Sequence, residues 1–116
     1  MKRRLCKLVL TFVAAGTATT VTAQDAGQLK KSEAVYTYWC ATCHASGPGM
    51  PGTQALQAKY NGKPPAVLIE RADLSPELVK LTVRNGVSVM PFFRKTEISD
   101  AELDALAAWL SKGTSE

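Results

Sequence analysis

Two cysteines and a histidine stand together in the segment CATCH, which runs from Cys40 through Cys43 to His44. Positions three and four apart share one face of a helical turn, so both sulfurs and the imidazole can point to the same side. This is the spacing of a c-type haem attachment site, where two thiols bond to the porphyrin and the histidine ligates the iron. The segment therefore predicts one haem c, bound covalently through Cys40 and Cys43, with His44 as a metal ligand.

Other chemistries of a cysteine pair fit this chain less well. A thioredoxin-like redox pair belongs to a βαβ context, and the sequence shows no strand pattern. A structural zinc site takes about four ligands. The chain has three cysteines and one histidine, and the third cysteine, Cys6, lies in a segment that we expect to be removed.

The first 23 residues have the features of an export signal. Four basic residues stand in the first seven positions, and an apolar run from Leu8 to Ala15 follows. The segment ends at Ala23 in an A-x-A-like cleavage site, and the apolar run is far short of the ~20 residues that span a bilayer. We expect a cleaved signal peptide over 1–23, a periplasmic location and a mature domain over 24–116 that does not span the membrane. An uncleaved anchor is the alternative.

The net charge of the whole chain comes from this leader. The 14 Lys and Arg residues outnumber the 10 Asp and Glu residues by four, and the leader holds four basic residues and no acidic one. The mature domain is therefore close to neutral. A near-neutral surface gives no electrostatic reason to attract nucleic acid, so no nucleic-acid partner is expected.

Hydrophobic spacing predicts an all-α domain of three to five short helices and loops. After a polar stretch over 24–28, a first helix is expected from about Leu29 to Cys40. Glycine and proline mark 46–52 as a loop. A short helix is expected over 53–60 and another short helical turn over 66–70.

A later helix carries signals at both ends. Ser75 is a good N-cap, Pro76 occupies the first helical position, and Asn85-Gly86 predicts a left-handed C-terminal cap. Its apolar face is expected at three positions: Leu78, Leu81 and Thr82.

The last helix is the most clearly marked. Ser99 and Glu102 have the spacing of a capping box, which predicts that the helix begins there. Four apolar residues at helical spacing form its expected buried stripe: Leu103, Leu106, Ala107 and Leu110.

Met90 is predicted to be the second iron ligand. It lies far enough from His44 for the chain to pass around the ring, and Pro91 keeps it out of helical conformation. A thioether ligand raises the reduction potential of a haem iron. Met50 is the competing candidate, but the six residues after His44 reach at most ~20 Å when extended. An ordinary core methionine is the remaining interpretation of Met90.

With these residues placed, the mature chain resembles the small mono-haem class I cytochromes c from about Ser32 to Ser111. The family pattern has a small residue, an aromatic residue four positions later and then CxxCH, which Ser32, Tyr36 and Cys40 match. The family more often has glycine at the position of Ser32. The last helix of the family carries an aromatic residue followed by leucine, as do Trp109 and Leu110 here.

This resemblance implies the class I cytochrome c fold, with helices and loops wrapped around one haem. It implies that the first and last helices cross with Tyr36 against Trp109, and that Ser32 allows their backbones to approach. A proline carbonyl in the family accepts a hydrogen bond from the proximal histidine, which tunes the ligand. Pro51 is the first choice for this acceptor and Pro48 the second.

The stretch from Arg84 to Phe93 looks closest to the cytochrome subunits of p-cresol methylhydroxylase-type flavoenzymes and to carriers for quinoprotein dehydrogenases. The resemblance implies a one-electron carrier, not a catalyst. Its redox partners would be a periplasmic dehydrogenase as donor and an oxidase or cytochrome as acceptor, leading to the respiratory chain. The alternatives are a dedicated haem subunit of a flavin- or quinone-dependent dehydrogenase, or an open-site haem sensor or peroxidase. The protein is expected to be a monomer or such a subunit.

Two further groups of residues complete these expectations. Residues rimming the exposed haem edge, and so the docking patch, are expected to be Ala41, Thr42, Ala45, Pro91 and Phe92. Residues that could reach the haem propionates are Lys59, Tyr60, Lys63, Arg71 and Arg84.

Overall fold

The structure is a computed structural model that describes residues 23–113, so most of the expected signal peptide lies outside the described residues. The described chain is helical. No β-strand is present between residues 23 and 113, where the one extended pairing is an isolated antiparallel bridge between Val87 and Met90. None of the helices in this part of the chain is long and apolar enough to cross a membrane.

Between residues 23 and 113, five α-helices and two shorter helical turns follow one another. In chain order they are α1 (Ala23–Val35), a π-helical turn (Tyr36–Cys40), α2 (Ala41–His44), α3 (Pro51–Tyr60), a 3₁₀ turn (Leu68–Glu70), α4 (Pro76–Asn85) and α5 (Asp100–Leu110).

Helix α1 differs from its prediction at both ends. The polar stretch 24–28 is helical, because its Gln, Asp and Ala residues tolerate a helix even though they show no apolar periodicity. The α-helical pattern stops at Val35 and gives way to the π turn before Cys40. Helix α3 begins at Pro51, inside the segment predicted to be a loop, because proline fits the first turn of a helix.

The predicted capping residues of α4 and α5 are confirmed. The Ser75 hydroxyl accepts the Leu78 N–H at 3.1 Å. Ser99 and Glu102 form the full capping box, in which the Glu102 carboxylate accepts the Ser99 N–H at 2.8 Å. Gly86 ends α4 with φ 71° and ψ 171°, so the stop is where it was predicted but the conformation is not the left-handed helical one.

The core lies where α5 packs against α1 and α4. All four residues of the predicted α5 stripe are buried, together with Ile98 just before the helix. On α4, however, Val79 and Val83 are buried whereas Leu78 and Leu81 are exposed. The prediction for this helix was wrong because α4 has apolar residues on two adjacent faces, and periodicity alone does not show which one meets α5.

The crossing of the first and last helices is as predicted. The rings of Tyr36 and Trp109 lie 5.4 Å apart between centroids. Ser32, which is 2 % exposed, packs at the same crossing and donates its hydroxyl hydrogen bond to the Gln28 carbonyl of its own helix. This crossing fixes α1, and with it the segment that follows, against the core.

Candidate haem-binding site

The π turn connects α1 to the segment that carries the two cysteines and the histidine. The N–H of Ala41 reaches the carbonyl of Tyr36, five residues back, instead of the four that an α-helix uses. The turn therefore contains one extra residue. It keeps Tyr36 in the core while Cys40 and Cys43 follow as free thiols, the first buried and the second half-buried.

His44 is held in two ways: a side chain bonds to its backbone carbonyl, and the backbone of α3 packs against its ring. The Tyr36 hydroxyl donates a hydrogen bond of 3.1 Å to the His44 carbonyl. On the other side, a Cβ built on Gly52 would lie 2.7 Å from His44 Nδ1, which means that the α3 backbone lies directly against the ring. The Thr53 hydroxyl, which donates to the Ala45 carbonyl at 2.8 Å, fixes α3 in this position.

Burial sets the protonation of this segment. It lowers the pKa of His44, so the imidazole is neutral and able to ligate a metal near neutral pH. Burial, with a smaller contribution from Cys43, raises the pKa of the Cys40 thiol to about 11. The pKa of Tyr36 is likewise raised to about 12 by burial, so its phenol stays protonated and can donate to His44.

Met90 lies on a tight loop over residues 86–92, which we call the Met90 loop. Val87 and Met90 exchange two backbone hydrogen bonds, of 3.2 and 2.9 Å. Gly86, at φ 71°, allows the two sides of the loop to meet, since a Cβ there would lie 2.7 Å from the Met90 carbonyl. The Met90 side chain is half-buried against the core. The two hydrogen bonds and the close approach at Gly86 therefore fix the backbone conformation at Met90.

These residues fit a covalently bound haem. Two free thiols lie one helical turn apart, and a neutral histidine follows them directly. The His44 Nδ1 is a buried atom without a hydrogen-bond partner among residues 23–113, and the α3 backbone at Gly52 lies against it, so Nε2 is the ring nitrogen that would ligate the iron. When bound, haem would supply reversible one-electron chemistry at its iron. The chain would supply the attachment, the ligands and the apolar surroundings.

The predicted hydrogen bond from His44 to a proline carbonyl is not formed in the structure. Nδ1 has no partner, and neither Pro51 nor Pro48 accepts from it. Instead Pro51 begins α3, and its neighbour Gly52 abuts the imidazole edge. Sequence reasoning missed Gly52. Because 46–52 is predicted to be a loop, where glycine is common, the sequence pattern gives no sign that the backbone at Gly52 approaches the imidazole.

Both arginines predicted to reach the propionates have partners within the protein. Arg71, which is 4 % exposed, forms two hydrogen bonds to the Asp73 carboxylate and lies 4.7 Å from the centre of the Tyr60 ring. Arg84 donates to two backbone carbonyls and to Asp100. Lys59 also lies over the Tyr60 ring, at 5.1 Å. These side chains therefore make contacts within the protein that connect its own segments.

The predicted rim residues lie mostly at the surface. Thr42, Pro91 and Phe92 are exposed, whereas Ala41 and Ala45 are half-buried. The sequence prediction did not include Val89, which is 85 % exposed and next to Met90. Phe92, in the same loop, is 59 % exposed.

The helical fold and the arrangement around His44 define the class of the molecule: it is a c-type cytochrome, an electron-transfer protein built on a haem-binding domain. The family follows from comparison with known proteins. Residues 27–110 match the sequence model of the family described as cytochrome c oxidase, cbb3-type, subunit III, and the chain belongs to that family. No curated protein and no solved structure matches the chain. The predicted cytochrome c fold and the haem-based electron transfer are thereby confirmed.

Proposed function

We propose that this protein is an exported mono-haem carrier that takes single electrons from a periplasmic dehydrogenase and passes them to the respiratory chain. The observation that carries the proposal is the placement of His44, whose neutral, half-buried imidazole directly follows two free cysteines. The haem would be bound through Cys40 and Cys43 and ligated by His44 and Met90.

Ligation by both His44 and Met90 would suit an electron carrier. Because neither side chain would have to leave the metal, little rearrangement of the chain would accompany each transfer, and no proton-transferring group would be needed. The exposed apolar residues Val89 and Phe92 beside Met90 offer a small docking patch. Transient redox contacts are usually small, and a near-neutral domain would not depend on electrostatic steering.

Covalent attachment and ligation are tested on the purified periplasmic protein. Mass spectrometry should show the mass of the chain from residue 24 onward plus one haem. The ferric absorption spectrum should show a six-coordinate low-spin haem with the weak methionine–iron band in the red. A high-spin spectrum with free binding of carbon monoxide would instead favour the open-site sensor or peroxidase.

The place in electron transfer is tested by following the haem optically in fractionated cells. Periplasmic extract supplied with an alcohol or a phenol should reduce the protein, and washed membranes should then reoxidise it. Heated extract and heated membranes are the controls. Failure of active membranes to reoxidise the reduced protein would contradict the proposal. Size-exclusion chromatography of native extract distinguishes a free carrier from a dedicated subunit, which would elute together with a flavin- or quinone-containing protein.

A further inference from the structure

The Arg84 side chain lies at the base of the Met90 loop. It belongs to the last turn of α4, and it is 22 % exposed. One guanidinium nitrogen donates to the Phe93 carbonyl at 3.0 Å, and the other donates to the Ile98 carbonyl at 2.9 Å. The same side chain forms an ion pair of 2.9 Å with Asp100. One planar group thus joins α4, the end of the loop and the start of α5.

The Met90 loop leaves α4 at Gly86 and returns beside it at Phe93. The Phe93 N–H bonds to the Val83 carbonyl at 2.8 Å, and the Phe93 carbonyl accepts from Arg84. Both backbone groups of Phe93 are therefore satisfied by the last turn of α4. The start of the loop is continuous with α4. Its end is held to α4 by two hydrogen bonds, one from the Phe93 N–H to Val83 and one from Arg84 to the Phe93 carbonyl.

We infer that Arg84 is a positioning residue for Met90, holding the loop in the conformation that presents the thioether. This inference rests on the proposed ligation by Met90. It assigns Arg84 a role different from propionate binding, because its donors are directed to Phe93, Ile98 and Asp100. Arginine suits this role because two nitrogens of its planar guanidinium hold the Phe93 and Ile98 carbonyls at a fixed separation, whereas the donors of lysine all lie on one nitrogen.

The inference predicts that weakening the contact opens the loop without unfolding the domain. An external ligand such as imidazole can bind ferric iron only when the methionine is displaced. Its apparent affinity is therefore the intrinsic affinity multiplied by the fraction of molecules with the loop open. A variant that raises this fraction binds imidazole more tightly, and a variant that merely lowers global stability does not.

The experiment compares Arg84→Lys with Lys80→Met in the haem-loaded protein. Lys80 lies on the same helix and forms an exposed ion pair of 2.6 Å with Asp104, so its loss removes an α4–α5 contact that does not touch the loop. Imidazole titrations follow loss of the methionine–iron band, and urea unfolding of each variant measures global stability. We expect imidazole to bind about tenfold more tightly to Arg84→Lys and within about twofold of wild type to Lys80→Met.

An equal imidazole affinity in the two variants would overturn the inference. If Arg84→Lys does not accumulate with haem, Asp100→Asn replaces it, with Lys95→Met as its control. Lys95 pairs with Asp100 at 2.7 Å without contacting Arg84. Tighter imidazole binding in Asp100→Asn alone supports the inference, and no difference overturns it. A wild-type protein that lacks the methionine band would instead reject Met90 as a ligand, and so the proposal on which the inference rests.

Discussion

The Tyr36 hydroxyl donates a hydrogen bond to the carbonyl oxygen of His44, across 3.1 Å and eight residues of chain. The same tyrosine packs its ring against Trp109 of α5. One side chain therefore connects the helix crossing in the core to the backbone of the predicted iron ligand. Because the ring and the hydroxyl have separate partners, their contributions can be measured separately.

Tyr36→Phe should retain the ring packing and lose only the hydrogen bond to His44. We expect the free energy of unfolding to fall by about 1 kcal/mol, the usual worth of a neutral hydrogen bond. Tyr38→Phe is the matched control, because Tyr38 is 73 % exposed and its ring contact with Trp39 would survive. Urea unfolding of both haem-loaded variants gives the comparison. Equal stabilities would show that the Tyr36 hydroxyl does not support His44.

Gly52→Ala should displace the His44 ring. A Cβ at position 52 would lie 2.6 Å from His44 Cε1 and 2.8 Å from the Cys43 carbonyl, so the ring or the α3 backbone must move. Overpacking of this kind costs about 1–3 kcal/mol. Electron paramagnetic resonance of the ferric protein measures the ring orientation through its g values, which we expect to change.

Gly27→Ala is the control for that substitution. Gly27 lies within α1, and a Cβ there meets no atom within 4 Å. Alanine at a helix interior should add about 0.5–1 kcal/mol of stability and leave the g values as in wild type. Identical spectra for the two glycine variants would mean that Gly52 does not set the position of the imidazole.

Met90→Ala should yield a protein that keeps its haem but loses the low-spin spectrum and the methionine–iron band. Met50→Ala tests the competing ligand, because Met50 precedes α3 and lies close to His44 in sequence. It should leave the spectrum unchanged. Loss of the band in Met50→Ala, with the band retained in Met90→Ala, would reverse the assignment.

Asp73→Asn should destabilise the domain at neutral pH, because it leaves the buried Arg71 guanidinium without its carboxylate. The Asp73 side chain is 48 % exposed, so solvent screening limits the expected loss to about 1 kcal/mol. Asp104→Asn is the control, since its ion pair with Lys80 is exposed on both sides and should matter less.

The effect of Asp73 should depend on pH with a defined sign. The hydrogen bonds from Arg71 lower the pKa of Asp73 in the folded protein below its ordinary value of 3.8. The unfolded chain therefore binds this proton first as the pH falls. The stabilisation is complete above the ordinary value and is lost as the pH falls through the lower, folded-state value. Unfolding measured between pH 7 and pH 3 should show the gap between wild type and Asp73→Asn closing at the acid end.

Local signals in the sequence are sufficient to predict where several of the helices begin. The caps at Ser75 and Ser99 are short-range hydrogen bonds that depend on a few neighbouring residues, and both are present. The contact of Tyr36 with Trp109 is long-range, and it was predicted only because the spacing around Cys40 resembles that of a known family. Neither propensity nor periodicity would have paired these two rings.

The features that were missed depend on how elements pack. Helix α4 could have buried either of two apolar faces, and contact with α5 selected Val79 and Val83. The role of Arg84 required knowledge of where Phe93 and Ile98 return to the helix. Such contacts join residues from separate elements, and a pattern along one chain segment does not contain them.

The π turn at Tyr36–Cys40 determines the direction in which the haem-attachment segment points. One residue occupies about 100° of an α-helical turn. Deleting Thr37, and so restoring an uninterrupted α-helix, would rotate everything beyond the turn by roughly that angle relative to the α1–α5 crossing. The cysteines would keep their mutual spacing yet change direction relative to the core. The helical segments before and after the π turn thus differ in rotation about the helix axis. The first sets the contacts with the core, the second sets the direction of the haem-attachment residues, and the one extra residue separates them.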